Sequence, residues 1–183
     1  VGSQTGGSMI RPASFCGIYG FKPTFGSISR AGMFPLARPL DHPGVYGRSL
    51  EDLALIGDVL MQPDPNDLDM RPGPNAGLMQ AVSGTSTAAP SVTFVKGPMW
   101  SAAADYMDGL FDGVMAALSD VAREVEMTGV FDDALACQET VMMANVAANL
   151  GDFVATAPEK LKAETIRRYG LGKDILASDY VKA

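Results

Sequence analysis

Only one histidine and two cysteines occur among 183 residues, and basic clusters and long apolar runs are both missing. Cys16 and Cys137 lie too far apart for metal-ligand spacing, so reduced, buried thiols in a cytoplasmic protein are expected. Fourteen Lys and Arg stand against 21 Asp and Glu, a net charge of −7, and no basic cluster could track a phosphate backbone. A direct nucleic-acid partner is thereby excluded. Apolar runs are short and interrupted, which excludes a membrane-spanning helix and a membrane partner. With 47% hydrophobic and 19% charged residues the composition is that of an ordinary globular core.

What the chain does have is a dense run of small and hydroxylated residues at its start, Gly2-Ser3-Gln4-Thr5-Gly6-Gly7-Ser8-Met9-Ile10-Arg11-Pro12. Glycines reach positive φ at little cost, so the N–H groups of Gly6, Gly7 and Ser8 are expected to converge on one point, an oxyanion-binding nest beside a serine hydroxyl. Composition alone leaves an ordinary loop as the alternative. A nucleotide-binding P-loop is disfavoured, because no Gly-Lys-Ser/Thr follows the glycines.

Thr5-Gly6-Gly7-Ser8, followed by Ile10-Arg11-Pro12-Ala13-Ser14-Phe15-Cys16-Gly17 and Gly20-Phe21-Lys22-Pro23-Thr24-Phe25-Gly26, closely resembles the amidase signature family. The likeness runs on through Pro35-Leu36-Ala37, Leu40-Asp41-His42-Pro43-Gly44 and Arg48-Ser49-Leu50-Glu51-Asp52 to Leu60, about the first third of the chain. An ordered match of this length is far more specific than a short motif. The resemblance implies an α/β fold, part of a large mixed, mostly parallel sheet covered by helices on both faces. It implies Ser8 as the nucleophile, oxyanion donors at Thr5, Gly6, Gly7 and Ser8, a small-molecule amide substrate and no cofactor or metal. The family's catalytic lysine and relay serine lie upstream of the nucleophile. Residues 1–183 are therefore expected to form one partial amidase domain of a longer enzyme, with both ends cut, and to be inactive alone because a serine hydroxyl needs a base.

Gln4 with Met9-Ile10-Arg11-Pro12 resembles the small-molecule, malonamidase-like branch more than the glutamine-hydrolysing component of the tRNA-dependent amidotransferase. Arg11 has two readings of equal weight. It could clamp a substrate carboxylate through paired hydrogen bonds, or pair internally to hold the loop. The competing functional class is a noncatalytic truncated or interaction subunit of an amidase-like or amidotransferase complex. A homo-oligomer is left open, since unpaired strand edges and exposed apolar faces invite association.

Along the chain, Cys16–Gly20 reads as a buried strand before a turn. Ser49 and Asp52 have the spacing of a capping box, with Leu53, Ile56 and Leu60 as the apolar stripe of the helix. Pro63, Pro65, Pro72 and Pro74 open a long irregular connection reaching Pro90. Val92–Val95 reads as a strand, Met107, Leu110, Phe111, Val114, Leu118 and Val121 as a helical stripe, and Glu124–Met127 with Val130 as another strand. This strand, helix, strand order implies a parallel pair. Helices follow over Asp133–Gly151, Pro158–Tyr169 and near Ala177. Lys22 and His42 read as structural, Met142 and Met143 as core filler, Trp100 as packing or lining an entrance, and Glu139 as a solvated or paired carboxylate.

Overall fold

The computed structural model describes residues 1–71, 77–84, 90–127 and 129–183, with the backbone alone described at residue 130. In chain order the elements are β1 (Gly2–Gln4), α1 (Ile10–Cys16), β2 (Tyr19–Phe21), β3 (His42–Gly47), α2 (Leu50–Leu60), α3 (Leu78–Ser83), β4 (Val92–Lys96), α4 (Tyr106–Ala117), β5 (Ala122–Glu126), α5 (Ala134–Thr156), α6 (Ala163–Gly172) and α7 (Ala177–Lys182). The class is α/β, as expected. Two compact units are formed, one from Val1–Gly84 with Gln138–Ala183 and one from Thr85–Cys137.

In the first unit β3 is the central strand of a three-stranded sheet, antiparallel to β1 through Gly2↔Gly44 and Gln4↔His42 and to β2 through Gly20↔Tyr46 and Phe21↔Val45. The parallel pairing expected of the family appears in the second unit. α1 tolerates Pro12 in its first turns, where the backbone N–H has no helical partner to lose. It ends at Gly17, whose φ of 62° is left-handed, while Ile18 N–H closes back on the Ala13 carbonyl at 3.1 Å. Ser49 caps α2 by accepting the Asp52 N–H at 3.0 Å. Asp52 reaches back to the N–H of Arg48 at 3.0 Å, one residue before the cap, so the expected box closes slightly wide. Asp58 then caps the next helix, accepting the N–H groups of Leu78 and Met79 at 2.7 and 3.1 Å.

A long irregular segment between β2 and β3 is held by charge. Half-buried Arg30 donates from Nε to Asp67 at 3.2 Å and also pairs with Asp69, while exposed Arg38 bridges to Asp69 at 2.8 Å. The guanidinium of Arg30 lies 4.6 Å from the Phe25 ring centre. Met143, Val146 and Leu150 of α5 are buried, and Asn149 Nδ2 donates to the Leu36 carbonyl at 3.1 Å.

In the second unit β4 and β5 are parallel, Val92↔Ala122 to Lys96↔Glu126, with α4 between them in sequence. Phe94 stacks on Phe111 at 4.7 Å and both meet Trp100 edge-on, which gives this small unit an aromatic centre. Trp100 therefore packs.

Several expectations need correction. Cys16 ends a helix, and the following strand starts only at Tyr19. Of α1 only Ala13 is turned into the core, so Cys16 is exposed, and Cys137 is half-buried. The buried face of α2 is Leu53, Ala54 and Gly57, with Ile56 exposed, because Leu78 and Phe21 approach on the Gly57 side. In α4 Leu110 and Val114 are exposed, and Met107, Phe111 and Met115 form the half-buried face. Residues 129–131 form a 3₁₀ turn outside β5. The connection expected to be irregular contains α3, while its residues 72–76 and 85–89 lie outside those described.

Candidate active site

Residues 5–9 leave β1 and turn directly into α1. The turn closes when Arg11 N–H donates to the Gly7 carbonyl at 2.9 Å. Neither Gly6 nor Gly7 takes a positive φ, so any convergence of their amides does not come from the left-handed backbone that the composition favours. A Cβ at Gly6 would make ordinary contact with Gln138 Nε2 at 3.8 Å, and one at Gly7 with Arg11 Cβ at 3.8 Å. The glycines leave space above the loop.

Ser8 is exposed, and Met9 directly after it is fully buried. Met9 fits a socket that three glycines make possible. A Cβ at Gly2 would lie 3.0 Å from Met9 Sδ, one at Gly44 2.9 Å from Met9 Cε, and one at Gly20 2.9 Å from the Met9 carbonyl oxygen. Gln4 Oε1 accepts the N–H groups of Met9 and Ile10 at 2.8 and 3.2 Å. Tyr46 Oη donates to the Ser8 carbonyl at 2.7 Å. Thr5 Oγ1 donates to Asp41 Oδ1 at 2.6 Å, and Asp41 Oδ2 accepts the N–H groups of Leu36 and Ala37, each at 2.9 Å. Among the described residues no hydrogen bond uses the N–H groups of Gly6, Gly7 or Ser8, or the hydroxyl of Ser8. Gln4, Thr5 and the Ser8 carbonyl are held, while these groups meet no protein partner among the described residues.

Arg11 is exposed, and among the described residues its guanidinium forms no ion pair or hydrogen bond. Lys22 Nζ donates to the neighbouring Pro23 carbonyl at 2.8 Å, a structural role. His42 Nδ1 lies 2.7 Å from the Leu40 carbonyl and its ring meets Phe25 edge-on at 5.3 Å, a structural role. Glu139 is exposed on α5. A cavity of about 260 Å³ bordered by Arg30, Phe34, Arg38, Asp41 and Asp67 shares Asp41 with the loop's support, but none of residues 5–8 lines it. Among the described residues no cluster suited to holding a metal occurs, and no helix is long and apolar enough to cross a membrane.

Sequence reasoning missed the supporting residues. Gln4 counted only toward the malonamidase-like branch, and Asp41 only as part of the Leu40–Gly44 likeness. The signal available for the socket was the placement of Gly2, Gly20 and Gly44 in short strands, where glycine is unfavourable without a close neighbour.

An exposed serine on a braced, glycine-bearing loop within an α/β framework is the arrangement found. The chain belongs to the Amidase family, whose model matches residues 1–174. It is 33% identical over 190 aligned positions to a subunit of the glutamyl-tRNA(Gln) amidotransferase of Carboxydothermus hydrogenoformans, with 100% of this chain and 35% of that protein covered. The corresponding protein from Deinococcus radiodurans is 52% identical over 67 residues, covering 37% of this chain and 14% of that protein. The chain thus spans about a third of the length of the first of these relatives. Among solved structures, a protein of a vestigial complex linked to the origins of an s-triazine catabolic enzyme superposes with a TM-score of 0.86 at 25% identity, covering 99% of this chain and 39% of that one. A 6-aminohexanoate cyclic dimer hydrolase shares the fold with a TM-score of 0.80 at 20% identity, covering 99% and 40%.

Proposed function

We propose that Ser8 is the acyl-accepting nucleophile of an amide hydrolase, with the N–H groups of Thr5, Gly6, Gly7 and Ser8 as its oxyanion donors. The observation that carries this reading is the set of amides at Gly6, Gly7 and Ser8 that are unengaged among the described residues, on a loop held through Gln4, Thr5 and the Ser8 carbonyl. Donors fixed before the reaction stabilise developing charge without reorganising, and each contributes roughly 3–4 kcal/mol. Ser8 Oγ bonds to the amide carbon as its proton passes to a base. The C–N bond then breaks, the proton goes to the leaving nitrogen, and ammonia or an amine departs. Water hydrolyses the ester, releasing the acid and restoring Ser8.

The base in this reading is the family's lysine, acting through its relay serine. No lysine precedes Ser8 among residues 1–183, so in this reading these residues alone are inactive. Arg11, three residues after Ser8 and without a partner among the described residues, binds the carboxylate of an acid-bearing amide, in keeping with a small-molecule substrate. A second reading takes its support from the relatives named as amidotransferase subunits, in which the chain serves within a multi-subunit assembly, with or without its own catalysis. Amide turnover by the complete protein, lost in Ser8→Ala, supports the hydrolase. Undiminished turnover in Ser8→Ala defeats it.

A further inference from the structure

The carbonyl of Ser8 and the N–H of Met9 belong to one peptide unit, and a different side chain holds each end. Tyr46 Oη, from β3, donates to the carbonyl at 2.7 Å. Gln4 Oε1, from β1, accepts the N–H at 2.8 Å. A peptide unit is planar, so holding both of its polar ends holds the Ser8 carbonyl carbon and Cα, the root from which the Ser8 side chain projects. The two anchors sit on adjacent strands, β1 and β3, whose register places Gln4 opposite His42. The Tyr46 ring packs where a Cβ on Gly2 would lie only 3.0 Å from its Cε2, and Met9 on the far side of the peptide is fully buried.

We propose that Gln4 and Tyr46 are positioning residues that place Ser8 for attack by clamping the Ser8–Met9 peptide unit between them. The proposal rests on Ser8 being the nucleophile. The clamp also occupies a donor. Because Gln4 already takes the Met9 N–H, the amide after the serine cannot serve as an oxyanion donor, and stabilisation of the oxyanion falls to the amides at and before Ser8.

The test uses the complete protein and two readouts, steady-state amide hydrolysis and the rate at which a fluorophosphonate modifies Ser8. Tyr46→Phe keeps the ring over Gly2 and removes only the hydroxyl. It lowers kcat and the labelling rate about tenfold with KM within about twofold, as expected when a nucleophile loses alignment and binding does not change. Gln4→Leu lowers both by about ten- to a hundredfold, while Gln4→Glu, which keeps an acceptor oxygen at the same reach, restores them to within about threefold of the parent. A merely structural role predicts a lower Tm with kcat and labelling unchanged in the folded fraction, and that result overturns the proposal. So does Gln4→Glu failing like Gln4→Leu. If Tyr46→Phe does not fold, the Gln4 pair decides by itself. Failure of the parent protein to be labelled on Ser8 overturns the nucleophile reading and the clamp with it, whereas a labelled parent with unaffected variants overturns the clamp alone.

Discussion

Thr5 donates its hydroxyl to Asp41 Oδ1 at 2.6 Å, across 36 residues of sequence, joining the start of the serine loop to the turn that leads into β3. Asp41 is buried and its other oxygen holds two backbone N–H groups of the 36–37 turn. One carboxylate therefore organises two segments. Asp41→Ala removes three hydrogen bonds to a buried charge and is expected to cost roughly 3 kcal/mol, measured by chemical denaturation, with Thr5→Val costing roughly 1–2 kcal/mol. Equal stability of Asp41→Ala and the parent would contradict this arrangement.

Acid sensitivity has a defined source in Asp67. Its pKa is lowered from an ordinary 3.8 to about 2, chiefly by the Arg30 side-chain hydrogen bond and against the opposing effect of burial. A carboxylate depressed on folding stabilises the native state above its unfolded pKa, and that stabilisation is lost as pH falls through the folded one. Between about pH 5 and pH 2 the parent should lose about 2 kcal/mol more unfolding free energy than Asp67→Asn. Parallel pH profiles for the two proteins would exclude this role.

Two glycine replacements separate packing from chemistry. A Cβ on Gly44 would come within 2.5 Å of the Phe21 carbonyl oxygen and 2.9 Å of Met9 Cε, whereas one on Gly6 meets its nearest neighbour at 3.8 Å. Gly44→Ala is expected to lose about 1–3 kcal/mol, as overpacked sites do. Gly6→Ala should stay within about 0.5 kcal/mol of the parent in stability and lower kcat through crowding of the substrate space. Thermal unfolding and turnover measured on the same samples decide it.

Arg11 separates substrates. In the complete protein Arg11→Ala should lower kcat/KM for a malonamate-like amide about ten- to a hundredfold and leave a neutral amide of the same size nearly unchanged, since only the former offers a carboxylate to the guanidinium. An equal loss on both would assign Arg11 to holding the loop.

What was legible in the sequence was mostly local. Ser49 and Asp52 cap a helix because both partners lie within one turn, and the β4, α4, β5 order gives a parallel pair because a short crossover leaves few alternatives. The serine loop was legible through family likeness. The short helix α1 was not, because Pro12 and Gly17 punctuate a segment whose N-terminus is capped by Gln4, a residue outside the usual N-cap set. Nor was the support of Ser8, since Tyr46 and Asp41 reach the loop only when β3 pairs with β1 across some forty residues of intervening chain. Helix periodicity marked apolar positions such as Ile56, Leu110 and Val114 without telling which neighbours reach them, and these are exposed.

The central claim is that Ser8 is the group that accepts the acyl chain. Treating the complete protein with a fluorophosphonate and locating the adduct by peptide mass spectrometry tests it most directly. One equivalent of label on the peptide containing Ser8, absent in Ser8→Ala and accompanied by loss of amide turnover, is the predicted result. An active protein that remains unlabelled at Ser8, or one labelled at a different residue, would contradict it.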